Sequence, residues 1–219
     1  MYFKLKISPS LLAADFGCLA DAALEVEAAG AETLHVDFMD GHYVPNIAFG
    51  LDLIPALKKR VKIPLVSHLM ISNAEERLDD FIKTGTDYII VQEEAVTDLN
   101  EILKKIRSNG IKTGFAICPD RPLKEVYSGL NNIDYLIVLG VFPGFGGQKF
   151  IEDTLFKIKE ARDFMTKNEL TFDIAVDGGV TLNTAGKIVK AGANELIAGT
   201  AIYGAGDIKK AVQDFLALG

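Results

Sequence analysis

The stretch EAAGAETLHV, residues 27–36, decides the fold. Its first residues close an apolar helical segment, Gly30 follows, and TLHV opens a β-branched apolar run. A glycine that caps a helix in the left-handed conformation commonly ends it. An apolar run directly behind that cap reads as a buried parallel strand. The same junction returns in IKTGTDYIIV (82–91), RSNGIKTGFA (107–116) and VKAGANELIA (189–198). A chain that repeats helix, glycine and strand is laying down α/β units in series.

Working outward, the apolar runs give eight strands: LKISPSLL (5–12), TLHVDFM (33–39), PLVSHLMI (64–71), DYIIVQE (87–93), IKTGFAIC (111–118), DYLIVLGV (134–141), FDIAVD (172–177) and NELIAGT (194–200). Amphipathic stretches lie between them. In DLNEILKKIRSNG (98–110), Leu99, Ile102, Leu103 and Ile106 fall on one helical face, Asp98 is placed to cap the start, and Gly110 suits the end. Eight strands, each followed by a helical span, predict an α/β fold with a single (β/α)8 TIM barrel over residues 1–219. Open doubly wound sheets, the main competitor, usually stop at fewer strands.

Composition narrows the function. The 219 residues are 49% hydrophobic and 24% charged, ordinary for a globular domain, and the formal net charge of −7 argues against nucleic acid or an anionic membrane as partner. The two cysteines, Cys18 and Cys118, form neither a disulfide framework nor a CxxC motif and suit a reducing compartment. The opening MYFKLKISPS has no long apolar core of a signal peptide, and no run is long enough to span a membrane. The expected location is the cytoplasm.

In a barrel of this kind, chemistry sits at the C-terminal ends of the strands. The second strand ends HVDFMDG, so His35 and Asp37, two apart, point together into the barrel while Val36 and Phe38 face the helices. His68 lies on the third strand, and Asp177 ends the seventh. Each residue alone could be a hydrogen-bonded core group. Two imidazoles and two carboxylates at one depth suit a divalent transition metal better. His42, beyond the strand, reads as a solvated or substrate-edge residue rather than a ligand. VFPGFGGQKF (141–150) follows the sixth strand with Gly144, Gly146 and Gly147. Gly178 and Gly179 follow the seventh, and Gly199 and Thr200 the eighth. Three glycine loops at one rim read as a phosphate cradle rather than as tight turns. Asp37 and Asp177, from strands that lie nearly opposite each other in such a barrel, are placed to take a proton from one face of a carbon and return one to the other. That chemistry is epimerisation beside a carbonyl.

SPSLLAADF (8–16), HVDFMDGHYVPN (35–46), HLMI (68–71), PGFGGQ (143–148) and VDGGV (176–180) together resemble the ribulose-phosphate 3-epimerase family, and the resemblance covers essentially the whole chain. It implies interconversion of D-ribulose 5-phosphate and D-xylulose 5-phosphate, in the pentose phosphate pathway, by 1,1-proton transfer through a metal-stabilised enediolate. It implies one divalent ion, Zn, Fe, Mn or Co, on His35, Asp37, His68 and Asp177, with Asp37 and Asp177 as the acid/base pair. It places Ser10, His68, Met39 and Met70 against the substrate, and Gly144, Phe145, Gly146, Gly147, Gly178, Gly179, Gly199 and Thr200 around its phosphate. Met39 and Met70 would otherwise be ordinary core residues. The resemblance also implies a homo-oligomer, a dimer or hexamer.

The chain departs from the family pattern at Leu139 and Gly140, where Met and then Ser or Thr are usual, at Gln92 for His, at Ala175 for Glu, and at Ser67. Smaller groups at 139 and 140 would leave more room and fewer donors beside the substrate. A six-carbon substrate such as D-allulose 6-phosphate is therefore the alternative. Related sugar-phosphate decarboxylases place a Lys two residues after a strand-end Asp, and HVDFMDG has none. A non-catalytic phosphosugar-binding barrel would need only the glycine loops and would leave the four ligands unexplained.

Overall fold

The computed structural model describes residues 4–219. Among these the strands are β1 (Lys6–Pro9), β2 (Leu34–Asp40), β3 (Ile47–Ala48), β4 (Leu65–Met70), β5 (Tyr88–Gln92), β6 (Lys112–Ile117), β7 (Tyr135–Leu139), β8 (Asp173–Asp177) and β9 (Glu195–Ala198). The order around the sheet is β1-β9-β8-β7-β6-β5-β4-β2-β3. All pairings are parallel except β2 with β3. A parallel bridge between Ser10 and His35 joins β1 to β2 and closes the barrel. The expected barrel is therefore present.

The helices α1 (Leu19–Ala29), α2 (Leu53–Lys58), α3 (Ala74–Lys83), α4 (Leu99–Ser108), α5 (Tyr127–Leu130), α6 (Thr154–Lys167), α7 (Leu182–Ala191), α8 (Thr200–Tyr203) and α9 (Ile208–Leu216) surround it. α4 forms as its pattern predicts: the Asp98 carboxylate accepts from Glu101 N at 3.0 Å, and Ile102, Leu103 and Ile106 are buried. The junction glycines Gly30, Gly85, Gly110 and Gly192 all take positive φ. β3 is an addition. Its two residues pair with Met39 and Asp40, and two residues, one of them the exposed Ile47, give too short an alternation to read in advance.

The period of two along each strand splits the core. Val36, Phe38, Leu69, Val91, Phe115, Val138 and Val176 face outward to the helices. Val66, Ile90, Ala116, Ile137, Ala175 and Ile197 fill the barrel. Below that apolar layer the N-terminal mouth is closed by polar contacts. Glu195 Oε1 accepts from Tyr135 Oη at 2.6 Å and Thr33 Oγ1 at 2.7 Å, and Lys6 Nζ pairs with Asp173 at 2.6 Å. On β5, β6, β7 and β8 the inward ladder thus runs from the plug end through an apolar layer to the opposite rim, where the next inward residues are Gln92, Cys118, Leu139 and Asp177, level with Asp37 and His68, while His35 stands one step lower, beside Val66.

Candidate active site

Asp37 and His68 are register partners on adjacent strands, and His35 lies one inward step below Asp37. His35, Asp37 and His68 are buried, while the Asp177 side chain is 20% exposed. His35 Nε2 lies 3.0 Å from Asp37 Oδ1, 3.2 Å from His68 Nδ1 and 3.9 Å from Asp177 Oδ2. His68 Nδ1 lies 3.0 Å from Asp37 Oδ1 and 3.9 Å from Asp177 Oδ2. The four groups offer ligand atoms that all fall within 4.8 Å of one another. Tetrahedral bonds of about 2.0–2.1 Å separate neighbouring ligand atoms by roughly 3.3 Å. The donor set and its spacing are compatible with one divalent cation.

Charge is unevenly held in this cluster. Burial opposes ionisation of Asp37, but His35 and His68 outweigh it and hold the carboxyl well below the usual carboxylate range. Asp177 is pushed up to about 6 by burial and by the charge of Asp37. Burial alone would lower His35, and Asp37 outweighs it, so the imidazole is raised. Both oxygens of Asp37 are engaged, since Oδ2 accepts from Ser10 Oγ at 2.7 Å.

Above the cluster opens a cavity of about 320 Å³. Its lining contains Ser10, Asp37, Met39, Met70, Leu139 and Asp177 on the inner wall, and Gly144–Gly147, Gly178, Gly179, Gly199 and Thr200 at the rim. His35 and His68 lie beneath this lining. Every residue assigned to substrate contact from the sequence, His68 apart, therefore faces one space. Met39 and Met70 also pack with Val44 and Ala48, so they serve the core and the cavity together. Phe145 stands 58% exposed at the lip. His42 is exposed, as expected for a residue past the strand. No lysine lines this cavity among the described residues.

The rim loops are locked together. Gly178 and Gly179 have φ of 93° and 68°, in the left-handed region. A Cβ on Gly178 would meet Val141 Cγ2 at 2.3 Å, and one on Gly179 would meet Phe150 N at 2.5 Å. Gln148 Nε2 donates to the carbonyls of Phe142 and Phe145, each at 2.8 Å, and braces the glycine loop from within. The sequence reading missed Thr181, which caps α7 through a reciprocal pair with Thr184 and lines the cavity. It also missed Asp40. One oxygen of Asp40 accepts from His42 N and Tyr43 N, and the other from Ser72 N and Ser72 Oγ, at 2.7–2.8 Å. Asp40 thereby ties the loop after β2 to the loop after β4. A threonine just past VDGGV and an aspartate in a DG turn were the available signals.

One expectation is corrected. Gly140 does not enlarge the substrate space. A Cβ there would lie 2.4 Å from the Gly178 carbonyl oxygen and 2.7 Å from the Phe150 ring, so that volume is filled. Ala175 is fully buried in the barrel layer, and Ser67 hydrogen-bonds Thr86 at 2.8 Å away from the cavity. Of the departures, Leu139 lines the cavity and Gln92 touches a cluster residue, with its Nε2 at 2.9 Å from His68 Nε2.

The model of the ribulose-phosphate 3 epimerase family matches residues 6–203. Ribulose-phosphate 3-epimerase of Bacillus subtilis is 40% identical over 213 residues, covering 96% of this chain and 97% of its own. The chloroplastic ribulose-5-phosphate-3-epimerase of Arabidopsis thaliana is 40% identical, covering 94% of this chain and 74% of its own. Among solved structures, a mutant tryptophan synthase α-subunit from Pyrococcus furiosus superposes with a TM-score of 0.74 at 18% identity, covering 99% of this chain and all (100%) of its own. Orotidine 5′-phosphate decarboxylase from Pyrococcus horikoshii gives 0.66 at 19% identity, with 97% and 98% coverage. These last two share the barrel architecture. No helix among the described residues is long and apolar enough to cross a membrane.

Proposed function

The chain belongs to the ribulose-phosphate 3-epimerase family, and from that premise we propose that it interconverts D-ribulose 5-phosphate and D-xylulose 5-phosphate. The observation that carries the proposal is the shared cavity, with two carboxylates of different strands at its floor and glycine loops at its rim. His35, Asp37, His68 and Asp177 would hold a divalent cation, which when bound would polarise the ketone and offset the negative charge that develops beside it.

Asp37 and Asp177 exchange the proton at the carbon next to the ketone. They sit on β2 and β8, with β1 and β9 between them, so a carbon held over the cluster meets one carboxylate from each side. One removes the proton and the other returns one to the opposite face, the roles reversing with direction. Ser10 holds Asp37 Oδ2 and so fixes how that carboxylate turns toward the carbon. Asp177, the more exposed of the two, meets substrate more directly. Met39 and Met70 give the wall beside the carboxylates an apolar surface that sheds water from the planar intermediate. The backbone amides of the rim loops bind the phosphate and fix the distance from that group to the reacting carbon.

With Gly140 excluded as a source of room, Leu139 is the one departure left that lines the cavity, and the pentulose phosphate is the substrate we take forward. The test is wash-in of solvent deuterium at C3 of ribulose 5-phosphate by protein replenished with Zn²⁺, Mn²⁺, Fe²⁺ or Co²⁺. The expected result is exchange at C3 alone and turnover well above that of hexulose phosphates. Preferred turnover of a hexulose phosphate, or no exchange with any metal, would refute it.

A further inference from the structure

The two imidazoles of the cluster are held differently. His35 Nδ1 is buried with no hydrogen-bond partner. His68 Nε2 instead meets the amide of Gln92, which is itself fully buried. Behind Gln92 stands Cys118, with Sγ 4.0 Å from Gln92 Oε1 and 3.0 Å from Glu94 Oε1. Tyr43 Oη donates to the same Glu94 oxygen. A continuous line of polar groups therefore runs from the surface carboxylate of Glu94 to the far side of His68.

The donors and acceptors along this line are not free to be assigned at will. Glu94 as a carboxylate only accepts. Burial, and then Glu94, push the Cys118 thiol up, so it keeps its hydrogen. That hydrogen goes to Glu94, at 3.0 Å, and Cys118 turns only lone pairs toward Gln92. The Gln92 oxygen facing Cys118 would then oppose an acceptor with an acceptor. Turned end for end, the amide fits the same space. Its N–H₂ then donates to Cys118 Sγ, and its carbonyl accepts a proton on His68 Nε2. In this arrangement no acceptor faces an acceptor between Glu94 and His68, and the proton of His68 lies on Nε2. Nδ1 is then left with a bare lone pair 3.0 Å from Asp37 Oδ1 and 3.2 Å from His35 Nε2, an arrangement that calls for a shared proton on His35 Nε2 or a cation between these atoms.

We propose that Gln92, backed by Cys118 and Glu94, is a positioning group that fixes the tautomer of His68 so that Nδ1 is ready to bind a divalent cation. The inference rests on the metal assignment above and deepens it. His68 is the braced ligand of the cluster and His35 the unbraced one. Metal-bound imidazoles depend on such partners for orientation and basicity, and losing one commonly weakens binding by about 10–100-fold.

The test is Co²⁺ titration of the purified protein, followed by visible absorption with a competing chelator, on wild type, Gln92→Leu and Gln92→Glu. Gln92→Leu removes the acceptor and should weaken binding about 10–100-fold. Gln92→Glu, whose carboxylate accepts from His68 Nε2, should keep most of the affinity. Equal affinity of the Leu variant and wild type, or a Glu variant weaker than the Leu variant, would overturn the inference while leaving the metal assignment standing. Wild-type protein that binds no Co²⁺ would overturn both. A second readout needs no variant. Nitrogen-15 spectra of the Zn²⁺-loaded wild type should show His68 protonated on Nε2 and bound through Nδ1, and a proton on Nδ1 would refute the proposal.

Discussion

Gly178 offers the most quantitative test of how the rim is built. Gly178→Ala puts a Cβ on a residue at φ 93°, where side chains are disfavoured by about 1–2 kcal/mol. The same Cβ lands 2.3 Å from Val141 Cγ2 and 3.2 Å from both Val141 Cβ and the Val141 backbone nitrogen. Val141 is buried and cannot swing aside. Overpacking of that kind adds about 1–3 kcal/mol. The sum is roughly 2–5 kcal/mol, and at about 2–4 °C per kcal/mol in a chain of this size the midpoint should fall by about 4–20 °C. Gly146→Ala is the control. It lies on the same rim, with nothing within 4 Å of its Cβ position, and its stability should stay within about 0.5 kcal/mol of wild type. Calorimetry reads the midpoints, and steady-state kinetics reads the displacement of the adjacent Asp177 and the phosphate loops as a higher KM and lower kcat. Gly178→Ala combined with Val141→Ala should be less destabilised than the sum of the two single changes, because the overlap is shared. If Gly178→Ala melts with Gly146→Ala, the two loops are not locked as described.

Asp37→Asn and Asp177→Asn should each abolish exchange of the substrate C3 proton with deuterated water while far-UV circular dichroism is unchanged. Metal content is measured alongside, and retained exchange in both variants would remove the two-carboxylate mechanism. Asp40→Ala should raise KM more than it lowers the melting midpoint, since the residue ties two rim loops together at a partly exposed position; an unchanged KM would dismiss that clamp. The Glu195 carboxyl in the barrel plug is raised by burial, which outweighs its hydrogen bonds from Tyr135 and Thr33. A raised carboxyl stabilises the fold below its unfolded value, near 4.5, and loses that contribution as pH rises through the folded value. Glu195→Gln should therefore gain on wild type as pH is raised from below 4.5 toward neutrality in urea unfolding, and a gap between the two that is constant with pH would contradict the assignment.

The parts of this molecule that were legible in its sequence are those governed by short periods. Alternation along one strand put His35 and Asp37 on the inner side together. Glycines at helix ends marked Gly30, Gly85, Gly110 and Gly192, whose positive φ values follow from the cap itself. What escaped depends on register between strands or on contacts across loops. Gln92 meets His68 because β5 pairs with β4, a relation no local pattern contains. Asp40 was visible as a residue in a DG turn, but its hold on Ser72 crosses from one rim loop to the next.

Gly140 shows why a missing side chain is a poor guide to empty space. From the sequence, glycine where Ser or Thr is usual meant a wider cavity and one donor fewer. In the fold, the Gly140 amide donates to the Asp177 carbonyl at 2.6 Å, and the Gly140 carbonyl accepts from Ile151 N at 2.8 Å. The Phe150 ring and the Gly178 carbonyl occupy the volume a Cβ would need. The same Phe150 backbone closes over Gly179. Gly140, Phe150, Gly178 and Gly179 are therefore one packing unit, in which a side chain at 140 is exchanged for closer approach of two loops. A glycine at 140 therefore adds no room for a longer sugar, because the space it vacates is taken up by the neighbouring loops. Of the departures from the family pattern, Leu139 is the one that faces the cavity, so a difference in substrate length would have to act there.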